Sequence, residues 1–434
     1  MISSLSSSSL RGRPTPLRLL LHGPNFAEPM GAGRYSGELA SWFLKRGHEV
    51  RAIATPSYQP DWRALGSGRG HWRWRRESVG DVSVLRCPAL LPRRPRRVSR
   101  FLHHASFALT SAPALLAETL SFKPNLVLSM TPALMAAPAA LLAARAAGAP
   151  AWLHLQRFET GAVRSDIEDD TFGTRNKPPL AQQAERAIFG RFDMVSAPSE
   201  DLQDQLAERG VPLRRQLMLP NWVDSRRIYP MRDPSTLRAA LNLGPGDFVA
   251  LCMGPSSEDR SIDALIEAAS LVPERGMITF VLCGSDKAWK RIKRAGRPPR
   301  LLFLPLHHAA DLNELLNLAD VHLIWPQGDP TAPEVPGEFG TLLASGRPLI
   351  AAADPQSTLA RIIQPVGMSV SPEGGGLAAA VIQLAASPID QLRYGRAARQ
   401  WALDYYEKER VLRRLEIDLY DRFAWRLPGL QGAQ

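Results

Sequence analysis

The sequence predicts an α/β protein in which two doubly wound domains follow each other along the chain. Short runs rich in Leu, Val and Ile alternate with longer stretches of helical periodicity, which is the pattern of βαβ units and parallel sheets. The pattern occurs twice, and a segment dense in proline, glycine and charge separates the two occurrences at 219–247. A chain of 434 residues also exceeds the length that one hydrophobic core usually organises.

Ten apolar runs are predicted to be strands, five in each half of the chain. They cover 17–23, 48–55, 124–130, 151–156 and 193–199, and then 247–254, 277–284, 300–306, 320–326 and 347–353. Between them, 261–272 and 311–319 carry apolar residues at 3.6-residue spacing and are predicted to be helices. The predicted domains are 17–222 and 223–400, after a serine-rich disordered leader over 1–16. A C-terminal helix over 401–427 is expected to pack back on the first domain.

Charge and cysteine content indicate a partner and a compartment. The chain is 45% hydrophobic and 22% charged, as in a folded soluble protein, and its formal net charge is +11. Such a charge favours an acidic partner, whether nucleic acid, anionic lipid or a phosphorylated substrate. Cys87, Cys252 and Cys283 lie in or beside apolar runs without disulfide or metal spacing, which predicts a reducing cytoplasm.

Two Ala/Leu-rich stretches, at 106–120 and 132–149, are the nearest approach to membrane segments. Pro113 and Pro138 interrupt them, and both fall short of the roughly 20 apolar residues of a spanning helix. We expect buried or interfacial helices there.

The stretch GPNFAEPMGAGRYSGELA, residues 23–40, places Gly31 and Gly33 between the first apolar run and a helix. Backbone N–H groups and the positive end of a helix dipole bind anions where no Cβ blocks the approach. The spacing therefore indicates a phosphate site. A tight strand-to-helix turn would use Gly33 equally well, so both interpretations stay open.

Several segments, taken together, resemble a known family. They are the loop and helix at 23–50, PSYQPDW at 56–62, WRWRRESVGDVSVLRCP at 72–88, HLQRFE at 154–159, LPNWVD at 219–224 and LASGRP at 343–348. Over about residues 17–425 the chain resembles family 4 glycosyltransferases of the colanic-acid and exopolysaccharide type. The resemblance implies a GT-B fold, with two Rossmann-like domains facing each other across a cleft. It implies metal-independent sugar transfer with retention at the anomeric carbon, and no cofactor beyond a nucleotide-sugar co-substrate.

The resemblance also assigns roles in the first domain. The backbone of Gly31, Ala32 and Gly33 would bind the donor diphosphate. His154, at the end of a buried strand, would be a catalytic residue beside the transferred sugar, although a lone histidine there also fits a hydrogen-bonded core. The residues expected on the acceptor side are Tyr58, Trp62, Gln156 and Glu159.

The second domain departs from the family pattern at the donor site. Soon after Gly254 the family has a Lys or Arg, whereas this chain has Glu258 and Asp259 and then Arg260. Close relatives carry Pro-Ser-Lys before a later helix, and here Glu338 stands at the lysine's place. Other members carry a Glu-x₇-Glu pair, whose second place is Thr341 here.

We expect Arg260 and Arg347, helped by Lys287, to supply the missing positive charge, with Glu334 gripping donor hydroxyls. Gly254 and Glu338 complete the expected donor set. The alternative is a catalytically degenerate GT-B protein that binds a partner without transferring sugar.

Other classes of function fit less well. The Trp/Arg-rich HWRWRR could stack nucleic-acid bases, but no recognition motif accompanies it, and an exposed hairpin strand fits as well. A nicotinamide-dependent oxidoreductase needs an acid about 20 residues after its glycine turn, and none ends the second run. A nucleotide-sugar epimerase shares the two-domain fold. His103, His104, His307 and His308 lack metal-ligand spacing, and no metal site is predicted.

A basic run precedes the apolar stretch that begins at 106. It contains Arg93, Arg94, Arg96, Arg97 and Arg100. Such a run indicates attraction to anionic lipid headgroups. We therefore expect a cytoplasmic protein that is peripheral on the inner face of the plasma membrane, with a glycan or polyprenyl-linked acceptor.

Overall fold

The computed structural model describes most of the chain as two compact units. The described residues are 15–28, 32–58, 72–92, 97–158, 179–232, 235–254, 260–274, 277–305, 312–325, 327–329, 332–354 and 356–423. The first unit comprises the described residues of Met1–Leu219 and Leu412–Gln434, and the second comprises those of Pro220–Val411. Of the predicted leader, only residues 15 and 16 lie within the described part.

The first unit is built on an eight-stranded sheet that is parallel except at one edge. Its strands are β1 (Arg18–His22), β2 (Glu49–Ala54), β3 (Arg75–Val79), β4 (Val82–Arg86), β5 (Leu126–Met130), β6 (Ala151–His154), β7 (Met194–Ala197) and β8 (Gln216–Met218). Their order is β3-β4-β2-β1-β5-β6-β7-β8, with only the β3–β4 hairpin antiparallel. The helices are α1 (Ala32–Lys45), α2 (Arg97–Phe122), α3 (Ala137–Ala147), α4 (Pro179–Phe189) and α5 (Glu200–Glu208).

The second unit has a six-stranded, fully parallel sheet in the order β11-β10-β9-β12-β15-β16. Its strands are β9 (Phe248–Met253), β10 (Ile278–Gly284), β11 (Leu301–Pro305), β12 (Val321–Ile324), β13 (Gln327–Asp329), β14 (Ala332–Glu334), β15 (Leu349–Ala352) and β16 (Gly367–Val370). Strands β13 and β14 form a separate antiparallel pair.

The helices after β8 are mostly short. They are α6 (Thr236–Ala240), α7 (Arg260–Leu271), α8 (Asp286–Arg294), α9 (Leu312–Leu318), α10 (Phe339–Ala344), α11 (Thr358–Ile363), α12 (Gly374–Ala385), α13 (Pro388–Trp401) and α14 (Lys408–Phe423). The segment predicted as one C-terminal helix from 401 is not a continuous α-helix. Helix α13 ends at Trp401, one π-helical turn follows over Ala402–Tyr406, and α14 begins at Lys408.

The predicted α/β class is confirmed, and each of the ten apolar runs contains a strand. Helices α7 and α9 match the two predicted helical segments, and the Trp/Arg-rich segment leads into the exposed β3–β4 hairpin. The sequence analysis missed β8, β13, β14 and β16, which are short and contain polar residues. Among the described helices, none is long and apolar enough to cross a membrane.

Both cores follow from helices covering both faces of a parallel sheet, which leaves the strands buried along their whole length. All residues of β5, β6 and β7 are buried. In the first unit the small side chains of α3 allow close packing against α2, and Ala137, Ala140 and Ala144 are buried there. The three cysteines are buried and free.

An ion-pair cluster fastens α14 to the first unit. Glu416 accepts hydrogen bonds from His48 Nε2 at 2.9 Å and Arg46 Nη2 at 2.8 Å. Tyr420 Oη donates to the carbonyl of Thr15 at 2.7 Å. Burial raises the pKa of Glu416, but the hydrogen bonds from His48 and Arg46 outweigh it and hold that pKa below 4.5.

We predict that Glu416→Gln lowers the free energy of unfolding of the first unit by about 2 kcal/mol at pH 7, because it leaves the buried His48 and the exposed Arg46 poorly paired. A group with a lowered folded-state pKa stabilises above its unfolded pKa and loses that effect as pH falls. The difference from the native protein should therefore narrow below about pH 4.5 in urea unfolding curves. The control Arg414→Gln, in an exposed pair with Asp418, should change stability by less than about 0.5 kcal/mol. An equal effect of both variants would contradict this account.

Candidate functional site

Each large sheet contains a point where its strand order reverses. In the first unit β1 lies between β2 and β5, and in the second β9 lies between β10 and β12. Both parallel parts follow the 3-2-1-4-5-6 order of nucleotide-binding sheets, whose ligands bind outside the carboxyl ends of the strands at this point. The loops after β1, β5, β9 and β12 are therefore where a ligand is expected.

The loop after β1 is tied down by short hydrogen bonds. Thr55 Oγ1 donates to the carbonyl of Pro24 at 2.6 Å, and Ser36 Oγ donates to the carbonyl of Asn25 at 3.1 Å. Gly23 N–H donates to the carbonyl of Ile53 at 3.1 Å. The loop thus sets the amino terminus of α1 at the carboxyl edge of the sheet.

Close packing explains why residue 33 is a glycine. A Cβ on Gly33 would lie 2.6 Å from both Cβ and Cγ of Glu28, which is a steric clash. Glu28 is 2% exposed, and its Oε2 accepts a hydrogen bond from Ser57 Oγ at 2.5 Å. The first turn of α1 therefore packs closely on a buried carboxyl side chain, and the tight-turn interpretation of Gly33 accounts for the glycine. Gly31 lies outside the described residues, and for Ala32 only the backbone is described.

His154 is the last residue of β6 and lies within a buried hydrogen-bond chain. Its Nδ1 is 2.8 Å from Ser196 Oγ, and its Nε2 is 2.7 Å from the side-chain nitrogen of Gln156. Trp152 Nε1 donates to the same Ser196 Oγ at 2.7 Å. Strand β5 alone separates β6 from β1, so this edge position is about 10 Å from the end of β1.

The contacts of His154 are consistent with one tautomer. Ser196 Oγ has two lone pairs, so it can accept from both Trp152 Nε1 and His154 Nδ1. With the side-chain nitrogen of Gln156 donating to His154 Nε2, the imidazole proton lies on Nδ1, an assignment that follows the orientation given to the carboxamide. Burial lowers the pKa of His154 to about 4, so the ring is neutral at pH 7.

The predicted acceptor residues are not all brought together. Gln156 is half-buried at the carboxyl edge, and its backbone N–H donates to Thr131 Oγ1, at the end of β5, at 2.9 Å. Tyr58, in contrast, is 2% exposed and packs edge-on against His103 of α2, so the expectation that its ring faces an acceptor is wrong. Trp62 and Glu159 lie outside the described residues.

In the second unit the carboxyl edge carries Gly254 and Lys287. Gly254 ends β9 with φ +72°, a conformation that favours glycine, and its N–H donates to the carbonyl of Cys283 at 2.9 Å. Lys287 is the exposed second residue of α8, after β10. Trp325, directly after β12, has an indole N–H without a hydrogen-bond partner among the described residues. The sequence analysis passed over this tryptophan because it ends an apolar run.

The other predicted donor residues on this side are only partly described. Arg260 is the first residue of α7, and Glu334 pairs with Gln327 in the β13–β14 hairpin, but the side chains of both lie outside the description. Glu338 precedes α10, and burial raises the pKa of its carboxyl group.

Arg347 is not brought to these residues. It lies two residues before β15, at the amino edge of the sheet, and its Nη2 donates to Asn317 Oδ1 at 3.3 Å. Carboxyl and amino ends of parallel strands lie at opposite edges, so Arg347 is separated from Gly254 and Lys287 by the length of the strands. The expectation that it neutralises the same diphosphate is wrong.

Comparison with known proteins shows what the chain resembles. Residues 30–222 match the model of a glycosyl transferase 4-like domain. Over 416 residues the chain is 29% identical to the putative colanic acid biosynthesis glycosyl transferase WcaI of Escherichia coli (strain K12), a match that covers 93% of this chain and 100% of that protein. The chain is therefore similar to glycosyltransferases over most of its length.

Solved structures show that the chain has a GT-B fold. Sucrose-phosphate synthase from Thermosynechococcus elongatus matches with a TM-score of 0.71 and 16% identity, over 94% of this chain and 100% of that one. Anabaena Alr3699/HepE in complex with UDP and glucose matches with a TM-score of 0.64 and 15% identity, over 93% and 100%. A putative UDP-N-acetylglucosamine 2-epimerase from Listeria monocytogenes also matches, with a TM-score of 0.60 and 12% identity, over 95% and 98%.

Sequence reasoning missed the groups that hold the predicted residues in place. Ser196 and Trp152 support His154, and Glu28 supports the turn at Gly33. The register of parallel strands could have indicated Ser196, because His154 and Ser196 end adjacent apolar runs and lie opposite each other. Within the described residues, no three His, Cys, Asp or Glu side chains come together as metal ligands.

We predict that Gly33→Ala lowers the free energy of unfolding by about 1–3 kcal/mol, because its Cβ overlaps the side chain of Glu28. The second substitution Glu28→Gly removes both clashing carbons, so the double variant should cost less than the sum of the single ones. Chemical denaturation measures all three. The control Gly375→Ala, whose Cβ would meet nothing within 4 Å, should leave stability unchanged or raise it by up to about 1 kcal/mol. Additive effects at 33 and 28 would refute the packing role.

Proposed function

We propose that this protein transfers a sugar from a nucleoside-diphosphate sugar to a glycan acceptor, with retention at the anomeric carbon and without a metal ion. One observation carries the proposal: in a chain that resembles family 4 glycosyltransferases, both sheets have the nucleotide-binding strand order, and their reversal points carry residues that this resemblance selects. The similarity to WcaI supports a place in the synthesis of a colanic-acid type exopolysaccharide.

The donor diphosphate is proposed to bind at the carboxyl edge of the second unit. Gly254 allows close approach of a phosphate because it has no Cβ, and α7 directs its first backbone N–H groups toward the same edge. Lys287 and Arg260 supply positive charge, and Glu334 is proposed to bind donor hydroxyls. Without a metal ion, such fixed donors and cations must stabilise the charge of the leaving diphosphate.

In the first unit the proposed contacts to the donor come from a neutral hydrogen-bond chain. The order Trp152, Ser196, His154 ends at Gln156, which is the outermost group of the chain. His154 is therefore proposed to orient Gln156 or a sugar hydroxyl as a neutral group, since its pKa of about 4 excludes an imidazolium at pH 7. The backbone of Gly31, Ala32 and Gly33 is proposed to contact the diphosphate. The nearby carboxyl group of Glu28 would weaken the electrostatic attraction between this backbone and the diphosphate.

A second candidate, a GT-B protein without transferase activity, is favoured by one observation. Glu338 stands where close relatives have a lysine, so the donor edge of the second unit has one cation fewer. Burial raises the pKa of Glu338 above its ordinary value, and Lys287 and Arg260 remain as the proposed cations of this edge. We therefore retain the transferase as the main proposal.

The acceptor is proposed to be lipid-linked and to be met at an anionic membrane surface, with the protein peripheral on the cytoplasmic face. The net charge of +11 supports this location. Segments 93–96 and 159–178 lie outside the described residues. The positive charge of the arginines at 93, 94 and 96 is therefore known from the sequence alone.

We predict that one nucleoside diphosphate in a panel, with UDP and UDP-glucose included, stabilises the protein by about 2.7 kcal/mol at a hundred times its dissociation constant. Lys287→Gln should weaken that binding about tenfold, because it removes a cation beside the diphosphate, as differential scanning fluorimetry and calorimetry would measure. The control Lys290→Gln, an exposed lysine of the same helix, should change affinity less than twofold.

The outcomes separate the two candidates. The transferase is supported if the protein binds a nucleoside diphosphate, transfers sugar in the presence of EDTA, and gives a product whose anomeric configuration is unchanged. Binding without transfer to any acceptor indicates the degenerate protein. No stabilisation by any nucleoside diphosphate would refute both donor-site assignments.

A further inference from the structure

Helix α2 carries an apolar stripe that no other described part of the chain covers. Its large exposed side chains are Val98 (71% exposed), Phe101 (57%), Leu102 (47%), Leu109 (77%), Leu116 (53%) and Leu120 (67%). All of these except Phe101 follow one another at spacings of four or seven residues, which places them on one face of the helix. From first to last the stripe extends about 33 Å along the helix axis.

The exposed face of α2 contains no charged side chain between 101 and 117. The positions between the large residues are Ala105, Ala112, Pro113 and Ala117, all at least partly exposed. The opposite face packs into the first unit through Phe107, Ser111 and Leu115, all of which are buried. A helix that packs on the core with one side usually exposes a polar opposite side to water. An exposed apolar side therefore indicates a binding surface.

Neighbouring elements widen this apolar surface. Trp74 and Trp72, which precede β3, are each 53% exposed, and Trp74 Nε1 donates to the carbonyl of Thr110 on α2 at 3.0 Å. On α3, which packs against α2, Leu142 is 64% exposed. We call the stripe of α2, the two tryptophans and Leu142 together the α2 face.

Exposed arginines border the α2 face. They are Arg100 on α2, and Arg73 and Arg75 on the adjacent hairpin segment. The sequence adds Arg93, Arg94, Arg96 and Arg97, whose side chains lie outside the description. Of the carboxylates on the hairpin and on α2, Glu77 pairs with Arg75 and Arg86, Glu118 pairs with Arg51 and Arg76, and Asp81 is exposed at the hairpin turn.

We propose that the α2 face docks on an anionic lipid bilayer, with its apolar stripe in the headgroup and upper acyl region. Leucines supply apolar contact, indole rings favour the interface, and arginines at the rim bind lipid phosphates. A second copy of the chain is a poorer occupant, because an isologous dimer would bring two sets of these arginines face to face.

This inference deepens the proposed membrane location and rests on it, but it does not depend on sugar transfer. The full chain is mixed with vesicles of phosphatidylcholine alone, or of phosphatidylcholine with about 30% phosphatidylglycerol, and pelleted. We expect binding to the anionic vesicles that is at least tenfold tighter than to the neutral ones. Raising the salt from about 0.1 to about 0.5 M should weaken it several-fold without abolishing it, because the apolar part persists.

Paired variants test the surface itself. Leu109→Gln with Leu116→Gln keeps the charge and a good helix former, and should reduce binding to anionic vesicles at least tenfold. The control Ile389→Gln with Leu392→Gln alters equally exposed positions (80% and 61%) on α13 of the second unit, and should bind as the native protein does. Arg73→Gln with Arg100→Gln should weaken binding several-fold, whereas Lys290→Gln with Arg294→Gln on α8 should have a smaller effect.

Each outcome either supports or overturns the proposed docking of the α2 face. Loss of binding confined to the α2 and arginine variants supports the proposal. Equal loss in the α13 control, no vesicle binding at all, or concentration-dependent self-association that Leu109→Gln with Leu116→Gln abolishes would overturn it. Thermal stabilisation by the nucleoside diphosphate is measured on the same variants and should be unchanged. If the native protein binds no nucleoside diphosphate but still binds anionic vesicles, the proposed function is refuted and the proposed docking surface is not.

Discussion

Parallel pairing on both sides of one central strand is the constraint on which both units depend. Strands β1 and β9 each lie between two parallel neighbours, and each chain segment must return by a helix before the next strand. All carboxyl ends therefore meet at one edge of a sheet. This arrangement brings the loop after β1 near His154 and Gln156, and brings Gly254 to the same edge as Lys287, although these residues are far apart in sequence.

The sequence predicted this arrangement well where burial determines the residues. The ten strands were found because strands of covered parallel sheets are apolar along their length. Side-chain roles were predicted less well, because they depend on register and on which edge a residue occupies. Arg347 comes just before a strand and so lies at the amino edge, and Tyr58 is covered by α2. Neither fact can be read from local composition.

Carboxyl groups stand beside both expected anion sites. The buried Glu28 packs against the first turn of α1, and the half-buried Glu338 precedes α10. Burial raises the pKa of Glu338. Hydrophobic periodicity alone also could not show that α2 leaves one apolar side uncovered, since the pattern of a helix that is apolar all round is usually that of a buried one.

The most direct test of the central claim is hydrogen–deuterium exchange of the full chain with and without a saturating nucleoside diphosphate. The account predicts slower exchange at the carboxyl edge of the second unit, in peptides that contain Gly254, the start of α7 and Lys287. Exchange at the amino edge, around Asn317 and Arg347, should be unchanged. Protection at the amino edge with none at the carboxyl edge would contradict it.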